Sequence, residues 1–295
     1  MQNQTSPLIL TFGVSDPVGA FGIQADLATF AAMGCHGLSV ITSILIGDTA
    51  RVEDVQAIEP DWVVDQARVV LEDMPVAAFK IGVVGSVENV SAIAEIVSDY
   101  PDIPLIFDPF QSSMPDPGPD GEDLLAAMRE LLIPQSTLLL LSAVELERLA
   151  ETWREPSSED TMMLDAMHLI ELGCPYVFVT GTPCDALSVS NMLFSEDGMN
   201  RHDVWQRLPG SFVGAGATLS AAVAAMLANG LDVPEGVLEA QEFNLAALSN
   251  ANRFGMGKLV PDRYFWARDT AVEPEAASES NDGSDPNTTG DAPQA

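Results

Sequence analysis

The sequence predicts an α/β fold with a mostly parallel central sheet that helices cover on both faces. Short apolar runs alternate with longer helical patterns along most of the chain, which is typical of sheets built from strand–helix–strand units. Polar or glycine-rich residues directly follow several of these apolar runs. A chain of 295 residues with 47% hydrophobic residues is also long enough to bury one large core.

The predicted strands are short apolar runs, and most of them end at a glycine, a proline or an acidic residue. The first run stops at Gly13, and a later one ends with Asp108 followed by Pro109. An acidic side chain therefore lies at the end of a strand. In chain order, the predicted strands are 8–12, 38–45, 77–82, 104–109, 138–141, 176–180, 187–194 and 202–208.

The segments between these strands predict helices. Pro60 lies near the first turn of one of them, where proline is favoured because its missing N–H would have no helical partner. Gly34 closes another, as glycine often does at a helix end. In chain order, the predicted helices are 23–33, 59–71, 87–100, 124–132, 145–152, 162–172, 218–229 and 233–250.

The composition divides the chain into one folded domain, residues 1–269, and a disordered acidic tail, residues 270–295. The tail follows the last aromatic residues and contains six acidic residues and no basic one. Within the domain, the segment 111–121 is dense in proline, glycine and aspartate, so we expect it to form a mobile loop.

The formal net charge is −32, and only two of the twelve basic residues are lysines. Because 38 of the 44 acidic residues precede the tail, the acidity belongs to the folded domain. Such a surface repels nucleic acids and anionic membranes, so we expect neither as a partner. Excess carboxylate with scarce lysine resembles halophilic proteins, whose self-repulsion is screened by salt; an ordinary acidic protein is the alternative.

The cysteines and the first residues favour a cytoplasmic protein. Three cysteines without a C-x-x-C pair do not suggest a disulfide framework. The first six residues lack the basic end and the apolar centre of a signal peptide. The longest apolar runs, such as 138–141, are far shorter than a membrane span.

A glycine motif at 214–218, Gly-Ala-Gly-Ala-Thr, leads directly into an alanine-rich apolar segment. This pattern predicts a flexible loop at the N-terminus of a buried helix. Such an N-terminus offers unpaired N–H groups and a positive dipole end, which suit a phosphate or a developing negative charge. The alternative is a glycine turn before a packed helix without ligand.

Several polar residues follow predicted strands, and ligands bind at the carboxyl ends of parallel strands in such sheets. This common placement predicts one shared site. The residues are Asp16, Asp48, Lys80, Asp108, Ser142 and the loop at Gly214.

Five segments resemble the hydroxymethylpyrimidine and phosphomethylpyrimidine kinases of the ribokinase-like superfamily. The resemblance extends from about Leu8 to about Arg263, and its segments are 15–27, 39–42, 79–82, 108–109 and 214–220. It implies a ribokinase-like three-layer α/β/α sandwich. It also implies phosphoryl transfer from ATP with Mg²⁺ to a thiamine-precursor pyrimidine and then to its monophosphate, by a protein that is usually a homodimer.

The resemblance also implies roles for particular residues. The anion-hole loop is Gly214, Ala215, Gly216 and Ala217. The substrate-binding positions are Asp16, Gly22, Asp26 and Gly47. The nucleotide-binding positions are Lys80, Asp108, Ser142, Glu145, Thr180 and Gly181, and of these Asp108 and Glu145 are the candidate Mg²⁺ ligands.

Several of these positions depart from the family pattern. Ala217 replaces the cysteine or aspartate expected as the base, and loss of a general base typically costs on the order of 10²- to 10⁴-fold in rate. The further departures are Val213 for histidine, Gly47 for glutamine, Ser142 for asparagine, Thr180 for lysine, and the bulky Val18 and Phe21. Three hypotheses stay open: an active pyrimidine kinase, a catalytically impaired pseudokinase that binds a ligand or partner, and a kinase for another small alcohol.

If the acidity is a salt adaptation, molar KCl will stabilise the protein because counter-ions screen the repulsion between its carboxylates. We expect the melting temperature to rise between low salt and molar KCl. Thermal unfolding followed by circular dichroism measures this, and a flat or falling melting temperature would contradict the halophilic interpretation.

Overall fold

The computed structural model describes residues 6–109, 114–115, 120–150 and 159–267. In these residues the strands form one sheet of nine in the order β3-β2-β1-β4-β5-β6-β7-β8-β9. The strands are β1 Leu8–Ser15, β2 His36–Gly47, β3 Val52–Ala57, β4 Ala78–Ile81, β5 Leu105–Phe107, β6 Leu138–Ser142, β7 Tyr176–Pro183, β8 Ser188–Ser195 and β9 Gly198–Gln206. Neighbours from β2 to β7 pair in parallel, whereas β3, β8 and β9 pair antiparallel.

Helices connect most of the parallel strands. They are α1 Gly22–Ala32, α2 Pro60–Asp73, α3 Val87–Ser98, α4 Asp120–Ala127, α5 Ala143–Leu149, α6 Glu159–Glu171, α7 Ala215–Ala228 and α8 Val233–Ser249. A π-helical turn at Met128–Leu132 and a 3₁₀ turn at Ile133–Gln135 continue α4, and Phe265–Ala267 forms another 3₁₀ turn. None of the described helices is both long and apolar enough to cross a membrane.

Two apolar cores lie on opposite faces of the sheet. Along β1, Leu10 and Phe12 belong to one core and Ile9 to the other, as the alternation of side chains in a strand requires. The first core packs helices α2 to α6 against the sheet, and the second packs α1, α7 and α8. The predicted three-layer sandwich with a mostly parallel sheet is therefore confirmed.

The structure adds one strand that the sequence pattern did not indicate. Strand β3 has an acidic, largely exposed sequence that does not read as a strand. It forms because β2 extends beyond the predicted 38–45 and pairs antiparallel with it, from Ser43 opposite Ala57 to Gly47 opposite Val52. Most of the predicted loop 111–121 and the whole of the predicted tail lie outside the described residues.

A buried ion pair joins strand β4 to helix α1. The ammonium Nζ of Lys80 lies 2.9 Å from Oδ1 and 3.1 Å from Oδ2 of Asp26, and both side chains are at most 2% exposed. The hydroxyl of Thr11 donates a 2.7 Å hydrogen bond to the same carboxylate. Neither charge could be buried alone at a tolerable cost, so each depends on the other.

We expect Lys80→Met to lower the free energy of unfolding by about 3–5 kcal/mol, because it leaves the Asp26 carboxylate buried without its partner. Adding Asp26→Asn should recover much of that loss, since the uncompensated charge disappears. Chemical denaturation measures both effects.

The matched control is Arg68→Met, which breaks exposed pairs with Glu95 at 3.4 Å and with Asp99 at 3.6 Å. Because the side chains of Arg68, Glu95 and Asp99 are 44%, 77% and 59% exposed, loss of these pairs should change stability by less than about 1 kcal/mol. Equal unfolding midpoints for wild type and Lys80→Met would contradict the role assigned to the buried pair.

Candidate active site

Two neighbouring cavities open at the carboxyl ends of the strands. The hairpin cavity, of about 330 Å³, lies beside the turn between β2 and β3 and is lined by residues of five separate segments, among them Phe21, Asp48, Arg51, Met114, Gly214 and Lys258. The edge cavity, of about 300 Å³, lies beside β7, β8, β9 and α8. Phe212, Ala215 and Gly216 line both cavities. The start of α7 is therefore the wall that the two cavities share.

Gly214 caps the N-terminus of α7 in the left-handed conformation, with φ of 86°. A Cβ atom added at this position would overlap the carbonyl oxygen of Ala20, so only glycine fits. The first backbone hydrogen bond of the helix runs from the amide of Thr218 to the carbonyl of Gly214, at 2.9 Å. The amides of 215–217 precede it and lack helical partners, which makes this end suited to binding an anion.

A buried guanidinium fixes the loop before α1 to the start of α7. Arg263 donates from Nε to the hydroxyl of Thr218 at 3.1 Å, from Nη1 to the carbonyl of Gly19 at 3.3 Å, and from Nη2 to the carbonyl of Ala20. Burial lowers the pKa of Arg263 to about 10, against the opposing effects of Asp26 and Asp16. The group therefore stays charged at neutral pH and adds positive potential beside the helix end. Arg263 carried no role in the sequence-based prediction.

Asp16 holds the loop that Arg263 clamps. Its carboxylate accepts hydrogen bonds from the amides of Val18 at 2.9 Å, Ala20 at 2.8 Å and Phe21 at 3.1 Å. The side chain is 1% exposed and lines neither cavity. The structure therefore gives Asp16 a loop-forming contact, while Phe21, at the end of the same loop, reaches the hairpin cavity.

The two glycines predicted to bind substrate lie at close backbone approaches. Gly22 begins α1 with φ of 62°, and a Cβ atom there would overlap the carbonyl oxygen of Val14. At Gly47 a Cβ atom would lie 2.8 Å from the carbonyl oxygen of Arg51, inside the β2–β3 hairpin. Both glycines shape the segments around the hairpin cavity without lining it.

Asp108 lies buried at the end of β5 and accepts a 2.6 Å hydrogen bond from the hydroxyl of Ser220 in α7. Burial raises the pKa of Asp108 to about 6, although the nearby Lys80 ammonium and the Ser220 hydrogen bond act in the opposite direction. The carboxylates of Glu145 and Asp26 raise this pKa further. Ser220 was not predicted as a site residue, because nothing in a helical sequence indicates a partner 112 positions away.

Ser142 and Glu145 form a capping box at the start of α5. The Oε2 atom of Glu145 accepts hydrogen bonds from the amide of Ser142 at 2.8 Å and from its hydroxyl at 2.7 Å. Ser142 thus caps the N-terminus of α5, at the position where the resemblance to the family implies asparagine.

The donor chemistry of Asp108 and Glu145 fits Mg²⁺. No group of three or more histidine, cysteine or acidic residues suited to a metal ion occurs in the described part of the chain. Mg²⁺ does not require such a cage, because it usually takes one or two carboxylates together with waters and substrate phosphates. The two carboxylates are close enough for Glu145 to affect the pKa of Asp108.

A hydrogen-bond network supports the edge cavity. Gly181 donates its amide to Oδ1 of Asn191 at 2.8 Å, and Oε1 of Gln241 accepts from Nδ2 of Asn191 at 2.8 Å and from Nε1 of Trp205 at 2.7 Å. These four residues and Thr180 all line the cavity. Asn191, Trp205 and Gln241 were missed in the sequence, since they come from β8, β9 and α8 and share no local pattern.

The structure brings only some of the predicted residues to the two cavities. Gly214, Ala215 and Gly216 line the hairpin cavity, and Thr180 and Gly181 line the edge cavity. The predicted residues that line neither are Asp16, Gly22, Asp26, Gly47, Lys80, Asp108, Ser142, Glu145 and Ala217.

Four of the departures from the family pattern meet in one apolar cluster. Ala217 and Phe21 are buried in it, and Val18 and Val213 pack against it. The side chain at 217 is therefore a methyl group in apolar surroundings, and the first turn of α7 carries no carboxylate, thiol or imidazole. No proton acceptor is available at this point of the helix.

Comparisons with known proteins identify relatives over nearly the whole described fold. A family model described as phosphomethylpyrimidine kinase matches residues 16–262. The hydroxymethylpyrimidine/phosphomethylpyrimidine kinase of Escherichia coli K12 is 31% identical over 264 residues, covering 88% of this chain and 97% of that protein. The thiamine biosynthesis bifunctional protein ThiED of Geobacter sulfurreducens is 30% identical, covering 84% of this chain and 50% of that protein. An ADP complex of Bacillus subtilis pyridoxal kinase has a TM-score of 0.79 and 25% identity, covering 90% of this chain and 100% of that chain.

The raised pKa of Asp108 predicts a pH-dependent stability. The folded state binds a proton at Asp108 more tightly than the unfolded chain does. The contribution of Asp108 to stability is therefore full below pH 3.8 and is lost as the pH rises through about 6. In metal-free buffer we expect the free energy of unfolding of Asp108→Asn, relative to that of wild type, to increase by up to about 3 kcal/mol between pH 4 and pH 7. The reason is that one pKa unit corresponds to about 1.4 kcal/mol.

The control for this prediction is Asp185→Asn, which removes an exposed carboxylate whose pKa is lowered by the amides of Leu187 and Ser188. Its effect should have the opposite sign, with stability lost relative to wild type as the pH rises. Urea denaturation across the pH range measures both variants. Parallel curves for wild type and Asp108→Asn would show that Asp108 does not titrate as described.

Proposed function

The chain belongs to the phosphomethylpyrimidine kinase family, and from this premise we propose that it transfers the γ-phosphoryl group of ATP to hydroxymethylpyrimidine and to its monophosphate. It is a phosphotransferase of ribokinase-like fold, and the names of its relatives support a role in thiamine biosynthesis. The observation that carries the proposal is the wall that the two cavities share at the start of α7.

The edge cavity takes the nucleotide. The ADP complex of the similar pyridoxal kinase supports nucleotide binding, and the chemistry of the edge cavity supports this choice of cavity. Trp205 offers an aromatic surface and Arg207 a positive charge, which suit a base and a phosphate chain respectively. The hydrogen-bonded network around Gln241 holds Trp205 in position before any ligand binds.

The hairpin cavity takes the acceptor. Phe21 and Met114 give it apolar walls for a small aromatic ring, and the start of α7 closes it on the side of the edge cavity. The two reactants then meet at Ala215 and Gly216, where the unpartnered amides stabilise the charge that develops on the transferring phosphoryl group. Arg263 keeps these amides in place because it ties the helix start to the loop carbonyls of Gly19 and Ala20.

Asp108 and Glu145 are the residues that would hold Mg²⁺. When bound, the ion neutralises charge on the phosphate oxygens of the nucleotide. Ser220 orients Asp108 through its 2.6 Å hydrogen bond, and Ser142 orients Glu145 through two bonds to Oε2. Both carboxylates therefore have fixed positions within the fold.

The protein also acts as a homodimer in this proposal, as its resemblance to the family implies. Two isoleucines support an interface on the hairpin side of the sheet: Ile44 is 50% exposed and Ile46 is 56% exposed on β2, next to the edge strand β3. Exposed apolar side chains of this size side by side are typical of protein contacts.

A size series at Gly216 tests the shared wall. A Cβ atom at Gly216 meets no other atom within 4 Å, so larger side chains enter the space between the cavities without straining the helix. We expect Gly216→Ala to keep measurable turnover and Gly216→Leu to lose about 100-fold, because small misplacement of reactants has effects of that order. Product formation from ATP with each pyrimidine, in low salt and in molar KCl, measures this.

Melting temperatures of the three proteins control for folding and should agree within a few degrees. Sedimentation velocity of the same preparations should give a dimer. Equal turnover by wild type and Gly216→Leu would contradict transfer at this wall. The catalytically impaired alternative rests on the methyl group at 217, and it would be favoured if wild type made no product while Ala217→Cys did.

A further inference from the structure

The two acceptors of the proposed function differ in what they require of a base. An alcohol must lose its proton during phosphoryl transfer, and a positioned base contributes typically about 10²- to 10⁴-fold. A phosphate monoester, whose second pKa is about 6, is already a dianion at neutral pH and has no proton to lose. The first turn of α7, where the two reactants meet in the proposed function, carries no carboxylate, thiol or imidazole, and this disfavours the first reaction much more than the second.

The carboxylate of Asp48, which lines the hairpin cavity, is a poor substitute for that base. Oδ1 of Asp48 accepts hydrogen bonds from the amides of Ala50 at 2.7 Å and Arg51 at 3.0 Å. These bonds lower the pKa of Asp48, which moves it further from the neutral range where a general base is effective.

Two cations line the same cavity, and one of them is unpaired. Lys258 is half-buried, and in the part of the chain that the structure describes its ammonium has no hydrogen-bond or ion-pair partner. An unpaired ammonium beside a cavity is suited to an anionic ligand.

The position of Lys258 links the hairpin to the start of α7. Its amide donates to the carbonyl of Thr49 at 2.9 Å, and the next residue, Leu259, bonds through its backbone to Ser211 at 2.8 Å and Val213 at 2.9 Å. The cavity wall at Lys258 therefore adjoins both the hairpin and the loop that leads to Gly214.

Arg51 adds a second charge from the hairpin. Its Nη2 atom lies 2.8 Å from Glu53, and the two side chains are 74% and 52% exposed, so the pair is weak. The remaining N–H groups of the guanidinium are available to a phosphate.

Resting on the proposed function, we propose that the preferred acceptor is the phosphate monoester of the pyrimidine alcohol, held by Lys258 and Arg51, and that the free alcohol is a poor substrate. An oxygen of the acceptor phosphate forms a bond to the γ-phosphorus of ATP. The bond between that phosphorus and the β–γ bridging oxygen breaks, and ADP leaves with the electron pair. No proton is transferred, so the methyl group at 217 is no obstacle.

The first test compares the two acceptors. We expect kcat/KM for hydroxymethylpyrimidine phosphate to exceed that for hydroxymethylpyrimidine by at least about 100-fold in wild type, the effect of a missing base. Ala217→Cys should reduce this ratio by a similar factor, because a thiol restores a proton acceptor for the alcohol. Equal kcat/KM values in wild type, or a ratio that Ala217→Cys leaves unchanged, would overturn the proposal.

The second test assigns the cations. We expect Lys258→Met to raise KM for the phosphate acceptor about tenfold with little change in KM for ATP, and Arg51→Met to act in the same direction. Calorimetric titration of hydroxymethylpyrimidine phosphate without nucleotide should give the same loss of affinity. Arg68→Met, on the outer surface of α2, is the charge control. A change in KM for ATP alone would assign Lys258 to the nucleotide and overturn the proposal.

The outcomes also separate this inference from the proposed function. Phosphorylation of the alcohol but not of the phosphate ester would overturn the inference and leave the kinase assignment intact. Absence of product from both acceptors, with wild type and with Ala217→Cys, would overturn both.

Discussion

The buried guanidinium of Arg263 is the contact on which the geometry of the site depends. It joins three parts of the chain that are far apart in sequence: the loop after β1, the first turn of α7 and its own C-terminal segment. Gly214 can lie against the carbonyl of Ala20 only because it lacks a Cβ atom, and Arg263 bonds the same carbonyl from another side. The position of both cavities relative to the α7 amides follows from this arrangement.

The distribution of charge explains how so acidic a protein can bind anionic reactants. Four of its twelve basic residues lie at the site: Lys258 and Arg51 line the hairpin cavity, Arg207 lines the edge cavity, and Arg263 lies behind the helix start. A local excess of positive charge in a cleft attracts anions even when the net charge of the protein opposes them. The remaining surface can then carry the carboxylates.

The sequence was sufficient for the fold and for the start of α7, because apolar periodicity and the glycine motif are local signals. It did not reveal β3, whose acidic residues form a strand only through pairing with β2. Nor did it reveal Arg263, Ser220 or Gln241, since each acts through a partner at least 36 positions away. Lys80 was expected at the nucleotide, but its nearest charged partner is Asp26, 54 positions earlier.

Phe212, Ala215 and Gly216 form the lining that the two cavities have in common. A ligand that extends past these three residues would contact both cavities. An adenosine polyphosphate joined covalently to a pyrimidine would lose translational freedom once instead of twice, and its affinity would approach the product of the two separate affinities weighted by the effective concentration of the link. The geometry of this protein is thus a template for bisubstrate inhibitors, with the number of bridging phosphates as the length to optimise.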